Sequence, residues 1–240
     1  MRSNHLKINN FKANLFYKPS KTKKMMPGPD IIYKCPKCGS FLKNKSLMSG
    51  NTIGACHYSD GKVIAMMMPE LPYITKCQKC NTIIWLEEEC EIGSYDLWDK
   101  LNVNTEWINA DQANFLTIDE YFEALDINQP EFIKQEYYLR LRIWWAYNDR
   151  VRWKGNKLFI NEQDGALWKA NLKKLLELLD LDDDNDKIMA GEIYRNLGDF
   201  EKCMSIIQSI SDSDFKNVKD AFIKECNARN TKVFQFKESD

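Results

Sequence analysis

Two cysteine pairs, Cys35-Pro36-Lys37-Cys38-Gly39 and Cys77-Gln78-Lys79-Cys80-Asn81, constrain this 240-residue chain more than anything else in it. Two residues between sulfurs allow one tight turn to aim both at a single ion, and the turn's backbone N–H groups then face the thiolates. Gly39 and Asn81 each follow the second cysteine, where such a turn calls for positive φ, and these two residue types tolerate it best. Pro36 presets φ in the first turn. Together Cys35, Cys38, Cys77 and Cys80 make a four-thiolate ligand set with no coordination position left for substrate or water. That donor set predicts structural zinc. Iron is the competing metal, because ligand identity alone does not separate the two.

Short β-prone runs surround the pairs. Ile31-Ile32-Tyr33 enters the first and Phe41-Leu42 leaves it, while Ile74-Thr75 and Ile83-Ile84-Trp85-Leu86 flank the second. Strands threaded through two such turns resemble a zinc ribbon, expected over residues 31–90. In the 38-residue insert, Thr52 to Tyr58 and Lys62 to Met68 read as strands joined at Ser59-Asp60-Gly61, since Asp-Gly between β-prone runs signals a hairpin. Cys56 and His57 are strand neighbours pointing to opposite faces and are expected to be structural. Met66-Met67-Met68 reads as strand and core filler.

Residues 91–128 form an expected connecting segment. Tyr95-Asp96-Leu97-Trp98 and Leu116 to Leu125 carry apolar residues at helical intervals, with Thr117 and Glu120 as a capping box. From 129 onward the pattern is all-helical, starting after Pro130. Phe132, Tyr137, Leu141, Trp144 and Trp145 recur every three or four residues through Trp153. Trp144, Trp145, Tyr147 and Trp153 alternate with Arg140, Arg142, Arg150 and Arg152, which predicts a core stripe with a charged rim rather than a base-stacking groove. A loop holding Gly155-Asn156 precedes a second helix, Leu167 to Leu179. The acidic run Asp180 to Asp186 fails as a calcium loop, because Asn185 and Gly191 stand where glycine and a bidentate glutamate are required. It is expected to cap the next helix.

Within residues 187–210, Gly191, Tyr194, Leu197-Gly198-Asp199-Phe200, Cys203, Ile207 and Ile210 resemble one tetratricopeptide (TPR) repeat, in which a small residue lets two helices approach and a Gly-Asp-aromatic turn joins them. Cys203, Ile207 and Ile210 depart from the usual residues by apolar exchange. The resemblance implies a partner groove lined by Asn185, Ile188, Glu192, Arg195 and Asn196, with Phe215 to Ala228 as a capping helix. Ribbon plus helical repeat is similar to bacterial proteins without assigned activity, so no activity comes with it. The expected fold class is therefore α+β: a small antiparallel ribbon followed by a TPR-like helical domain over residues 129–240.

Charge is uneven. Residues 1–80 hold 14 Lys+Arg against 3 Asp+Glu, and the remainder 20 against 32, within a net charge of −1. A basic tail over residues 1–30, expected to be disordered, beside an acidic helical domain accounts for this, and a nucleic-acid-facing N-terminal third is the alternative. No apolar run reaches the ~20 residues of a membrane span. No signal-peptide pattern is present, and cysteines committed to metal favour a reducing cytoplasm. Only His5 and His57 are available for acid–base work, and no phosphate-binding glycine loop occurs. The expectation is a non-enzymatic, zinc-binding protein that engages a protein partner.

Overall fold

The computed structural model describes residues 25–96, 104–127, 132–153 and 157–236. The basic stretch through Lys24, Leu97-Trp98, Pro130 and Gly155-Asn156 lie outside these. The fold is α+β, with small β-sheets in the N-terminal part followed by a helical C-terminal region; the described residues hold seven α-helices, the first of them a single turn in the N-terminal part. The chain divides into two compact units. Among the described residues, one takes 25–55 together with 64–119, and the other takes 56–63 together with those from 120 onward.

The first unit is built on β-hairpins. Strands β2 (Asp30–Lys34) and β3 (Phe41–Asn44) pair antiparallel from Ile31↔Asn44 to Lys34↔Phe41. On the other edge of β2 lies β9 (Glu91–Tyr95), and β10 (Asp111–Gln112) runs parallel to β3, giving the order β10-β3-β2-β9. A second hairpin joins β7 (Ile74–Lys76) to β8 (Ile83–Trp85), from Ile74↔Trp85 to Lys76↔Ile83. The pair β1 (Met26–Pro27) and β4 (Leu47–Ser49) completes the unit's strands. Helix α1 (Thr105–Ile108) is capped by Asn104, whose side chain accepts from the Glu106 N–H.

Three expectations change here. Between Thr52 and Met68 the chain is strand only at β5 (Cys56–His57) and β6 (Val63–Ile64), far shorter than Thr52–Tyr58 and Lys62–Met68. Met66 and Met68 lie in a turn with 86% and 52% exposure, so they do not fill the core. Tyr95 ends a strand instead of starting a helix, because its hydroxyl bonds Asp30 across the β2–β9 pair at 3.1 Å.

The second unit stacks helical hairpins. Helix α2 (Ile118–Ile127) begins directly after Thr117, and Arg142 Nε donates to Tyr121 Oη, tying α2 to α3 (Ile133–Arg152). Helix α4 (Glu162–Glu177) is capped by Asn161 and packs along α3, where Asn171 Nδ2 donates to Arg140 O. Trp144, Trp145 and Tyr147 are buried as the periodicity predicts, and Trp153 at the helix end is exposed.

Helices α5 (Asp184–Asn196) and α6 (Phe200–Gln208) form the tightest hairpin. Asp183 caps α5 by accepting from the N–H groups of Asn185 and Asp186, which is what the acidic run predicts. Gly198 turns the chain at φ 83°, and Asp199 caps α6 through the Lys202 N–H. Gly191 permits the close approach: a Cβ there would stand 2.7 Å from Ile207 Cδ1. Helix α7 (Lys216–Asn227) closes the stack, burying Phe215, Val218 and Phe222 with Ile188, Cys203 and Ile207.

Candidate metal centre

The two hairpins of the first unit present their cysteines by the same local construction. In the first, Cys35 N donates to Ser40 O and Gly39 N to Cys35 O, both at 2.9 Å. In the second, Cys77 N donates to Thr82 O at 2.9 Å and Asn81 N to Cys77 O at 2.8 Å. Gly39 has φ 73° and Asn81 φ 58°, the left-handed turn for which those residue types were singled out. Backbone N–H groups of Lys37 and Cys38 face the Cys35 sulfur, and those of Lys79 and Cys80 face the Cys77 sulfur.

These turns bring the four sulfurs within 4.8 Å of one another. Cys35 Sγ lies 3.6 Å from Cys80 Sγ, and Cys38 Sγ 3.7 Å from Cys77 Sγ. A sulfur tetrahedron around zinc with Zn–S near 2.3 Å has edges of about 3.8 Å. A disulfide would require about 2.05 Å. The spacing thus fits an ion shared by four thiolates and excludes cross-linking in this arrangement.

Two hydroxyls escaped the sequence reading. Ser40 Oγ is 3.1 Å from Cys38 Sγ and 3.2 Å from Cys77 Sγ, and Thr82 Oγ1 is 3.2 Å from Cys80 Sγ. Each stands five residues after the first cysteine of its turn, so a Ser/Thr at that repeated offset was the available signal. Facing thiolates, these hydroxyls donate and disperse negative charge. Cys35 and Cys77 rest on an apolar floor of Tyr33, Leu42, Ile84, Leu86 and Ala113. Burial pushes the Cys35 thiol up to about 12, whereas the Ser40 hydroxyl and backbone N–H bring exposed Cys38 down to about 6. For Cys77, burial raises and the Ser40 hydroxyl with the local N–H groups lowers, with a net downward shift.

The residues expected to line a partner groove occupy different surroundings. Asn185 is half-buried at the start of α5, but Ile188, Glu192, Arg195 and Asn196 are buried. Glu192 Oε1 accepts from Ser59 Oγ at 2.8 Å, Arg195 Nη2 at 2.6 Å and Asn196 Nδ2 at 2.9 Å. Burial pushes the Glu192 carboxyl above its usual range, opposed by Arg195 and the Ser59 hydroxyl. What covers this face is the Ser59-Asp60-Gly61 turn and residues 230–236, both from the same chain. Cys56 and His57 are half-buried on β5, and the His57 carbonyl accepts from Phe236 N at 2.9 Å.

The turn is anchored by charge. Asp60 Oδ2 accepts from Arg152 Nη2 at 2.6 Å and Asn148 Nδ2 at 2.8 Å, and its carbonyl accepts from Trp145 Nε1 at 2.8 Å. The Arg152 side chain, expected on a charged rim, is thereby withdrawn from solvent, stacked 4.1 Å over the Tyr58 ring and paired also with Asp149. Among the described residues, no helix is long and apolar enough to cross a membrane. Compared with protein-family models, curated proteins and solved structures, the chain matches none.

Proposed function

We propose that this chain is a non-enzymatic protein-interaction module of a reducing cytoplasm, with one structural zinc held by Cys35, Cys38, Cys77 and Cys80. The observation that carries the metal part is the pair of matching turns that gathers four sulfurs within 4.8 Å, two of the pairs close to the edge length of a zinc tetrahedron. A closed set of four thiolates leaves no open coordination position, so the ion's contribution is to folding: it joins the turns of two short hairpins. The TPR-like α5–α6 hairpin, with Gly191 at the helix crossing and Gly198-Asp199 at its turn, supports the interaction part.

Elemental analysis of purified protein tests the metal: one zinc per chain in a colourless preparation is expected, and stoichiometric iron with visible colour overturns it. Gel filtration of a lysate from the native cells tests the interaction, with the chain expected to elute well above its own 28.2 kDa. Elution throughout as a lone monomer overturns that part.

A further inference from the structure

Residues 230–236 are held in the second unit the way a bound peptide is held. Helix α7 ends at Asn227, and Arg229 turns the chain at φ 50°, after which no helix or hairpin fixes the path. The backbone is instead gripped by side chains of α5. Arg195 donates from Nη1 to Asn230 O and from Nη2 to Lys232 O at 2.8 Å, and Asn196 Nδ2 donates to Thr231 O at 3.1 Å. On its other side the segment meets the Ser59 turn through a single antiparallel bridge, Tyr58↔Gln235. Ser59 N donates to Phe234 O at 2.9 Å, Phe234 N to Ser59 Oγ at 3.0 Å, and Phe236 N to His57 O.

Backbone contacts of this kind accept many sequences, and the pockets for alternate side chains choose among them. Here the choosers are aromatic. Phe234 packs edge-on to buried Phe222 at 5.6 Å and to Phe236 at 5.2 Å, with the Arg195 guanidinium 4.8 Å above its ring. Thr231, Lys232 and Gln235 face solvent and add no selectivity.

We infer that the α5 face and the Ser59 turn form a recognition groove for an extended aromatic-x-aromatic peptide of a partner protein, and that residues 230–236 occupy it in cis until such a segment displaces them. This rests on the interaction reading above and names the ligand class and the gate. Tethering gives the internal segment a millimolar-scale effective concentration, so an external peptide of equal intrinsic affinity meets a mostly closed groove.

The test uses the full chain and a fluorescent peptide with the sequence of residues 229–236. The Phe234→Ala/Phe236→Ala chain keeps the groove but weakens its internal occupant. It is expected to bind the peptide on the order of 10²-fold more tightly than the wild-type chain does. The same peptide with both phenylalanines replaced by alanine is expected not to bind. Equal binding by both chains, no binding by a variant that unfolds cooperatively, or undiminished binding of the alanine peptide each overturns the groove. If the double variant does not fold, Phe236→Ala alone takes its place, and failure of that variant to fold makes the segment core and overturns the inference. A concentration-dependent wild-type dimer that exchanges these segments would overturn assignment to a separate partner. Absent peptide binding by a chain that still elutes in a large complex removes this groove and leaves the interaction reading standing.

Discussion

Replacing Asp60 with alanine is expected to destabilise the helical unit by about 3 kcal/mol, the lower end for breaking a buried ion pair. Asp60 and Arg152 side chains are 0% and 1% exposed, so solvent does not screen the pair. The carboxylate also takes the Asn148 amide at 2.8 Å and the Lys62 backbone N–H at 3.2 Å, which lose their acceptor with it. The cost stays at the lower end because Arg152 keeps Asp149 at 2.8 Å and the Tyr58 ring, and Trp145 bonds the residue-60 carbonyl, which survives. With a urea slope of about 2 kcal/mol/M, the midpoint should fall by about 1.5 M, read by helical circular dichroism on the whole chain. Arg152→Met in the Asp60→Ala background should recover at least ~1.5 kcal/mol of the summed single costs, because the uncompensated cation is gone. A single-variant loss below about 1 kcal/mol, or additive behaviour in the double variant, would refute the claim that this pair anchors the turn.

Further perturbations discriminate the other parts of the argument. Cys38→Ser should reduce bound zinc to substoichiometric levels by elemental analysis, and chelation should remove a folding contribution of about 10–16 kcal/mol from the hairpin unit, lost as its amide dispersion in NMR spectra. Gly191→Leu should cost about 3 kcal/mol by urea titration, since Ile207 carbons already stand under 3 Å from a Cβ. Gly198→Ala should cost only about 1 kcal/mol, from φ 83° alone, because the space around it is open. Burial tends to raise the Asp164 carboxyl, but the Ile160 N–H, Tyr147 hydroxyl and Arg150 together hold it below the usual range. A folded-state pKa below the unfolded one stabilises above the unfolded value and is lost as pH falls through the folded value. Wild type should therefore exceed Asp164→Asn by about 2 kcal/mol near neutrality, with the gap closing in acid in parallel urea titrations.

How much of this was legible follows the range of each interaction. The cysteine turns are local: Cys35 to Ser40 and Cys77 to Thr82 carry their backbone hydrogen bonds within six residues, so spacing plus Gly39 and Asn81 sufficed. Ser40 and Thr82 stand in the same window, but the reach of the Ser40 hydroxyl to Cys77, 37 residues away, exists only once the two turns meet. The α5–α6 hairpin was equally legible, since Gly191, Gly198 and Asp199 act across one turn.

The α+β division, the two cysteine turns and the helical hairpin were thus determined by the sequence through neighbours close along the chain. The tertiary structure alone decided that the insert's tip clusters with the helices, that the Arg152 side chain is buried, and that residues 230–236 cover α5. Those outcomes depend on partners 92 residues apart for Asp60–Arg152 and 133 apart for Ser59–Glu192. Periodicity reports which face of a helix is apolar. It does not report which distant charge will neutralise an arginine, and that pairing sets whether the arginine stands in water or in the core.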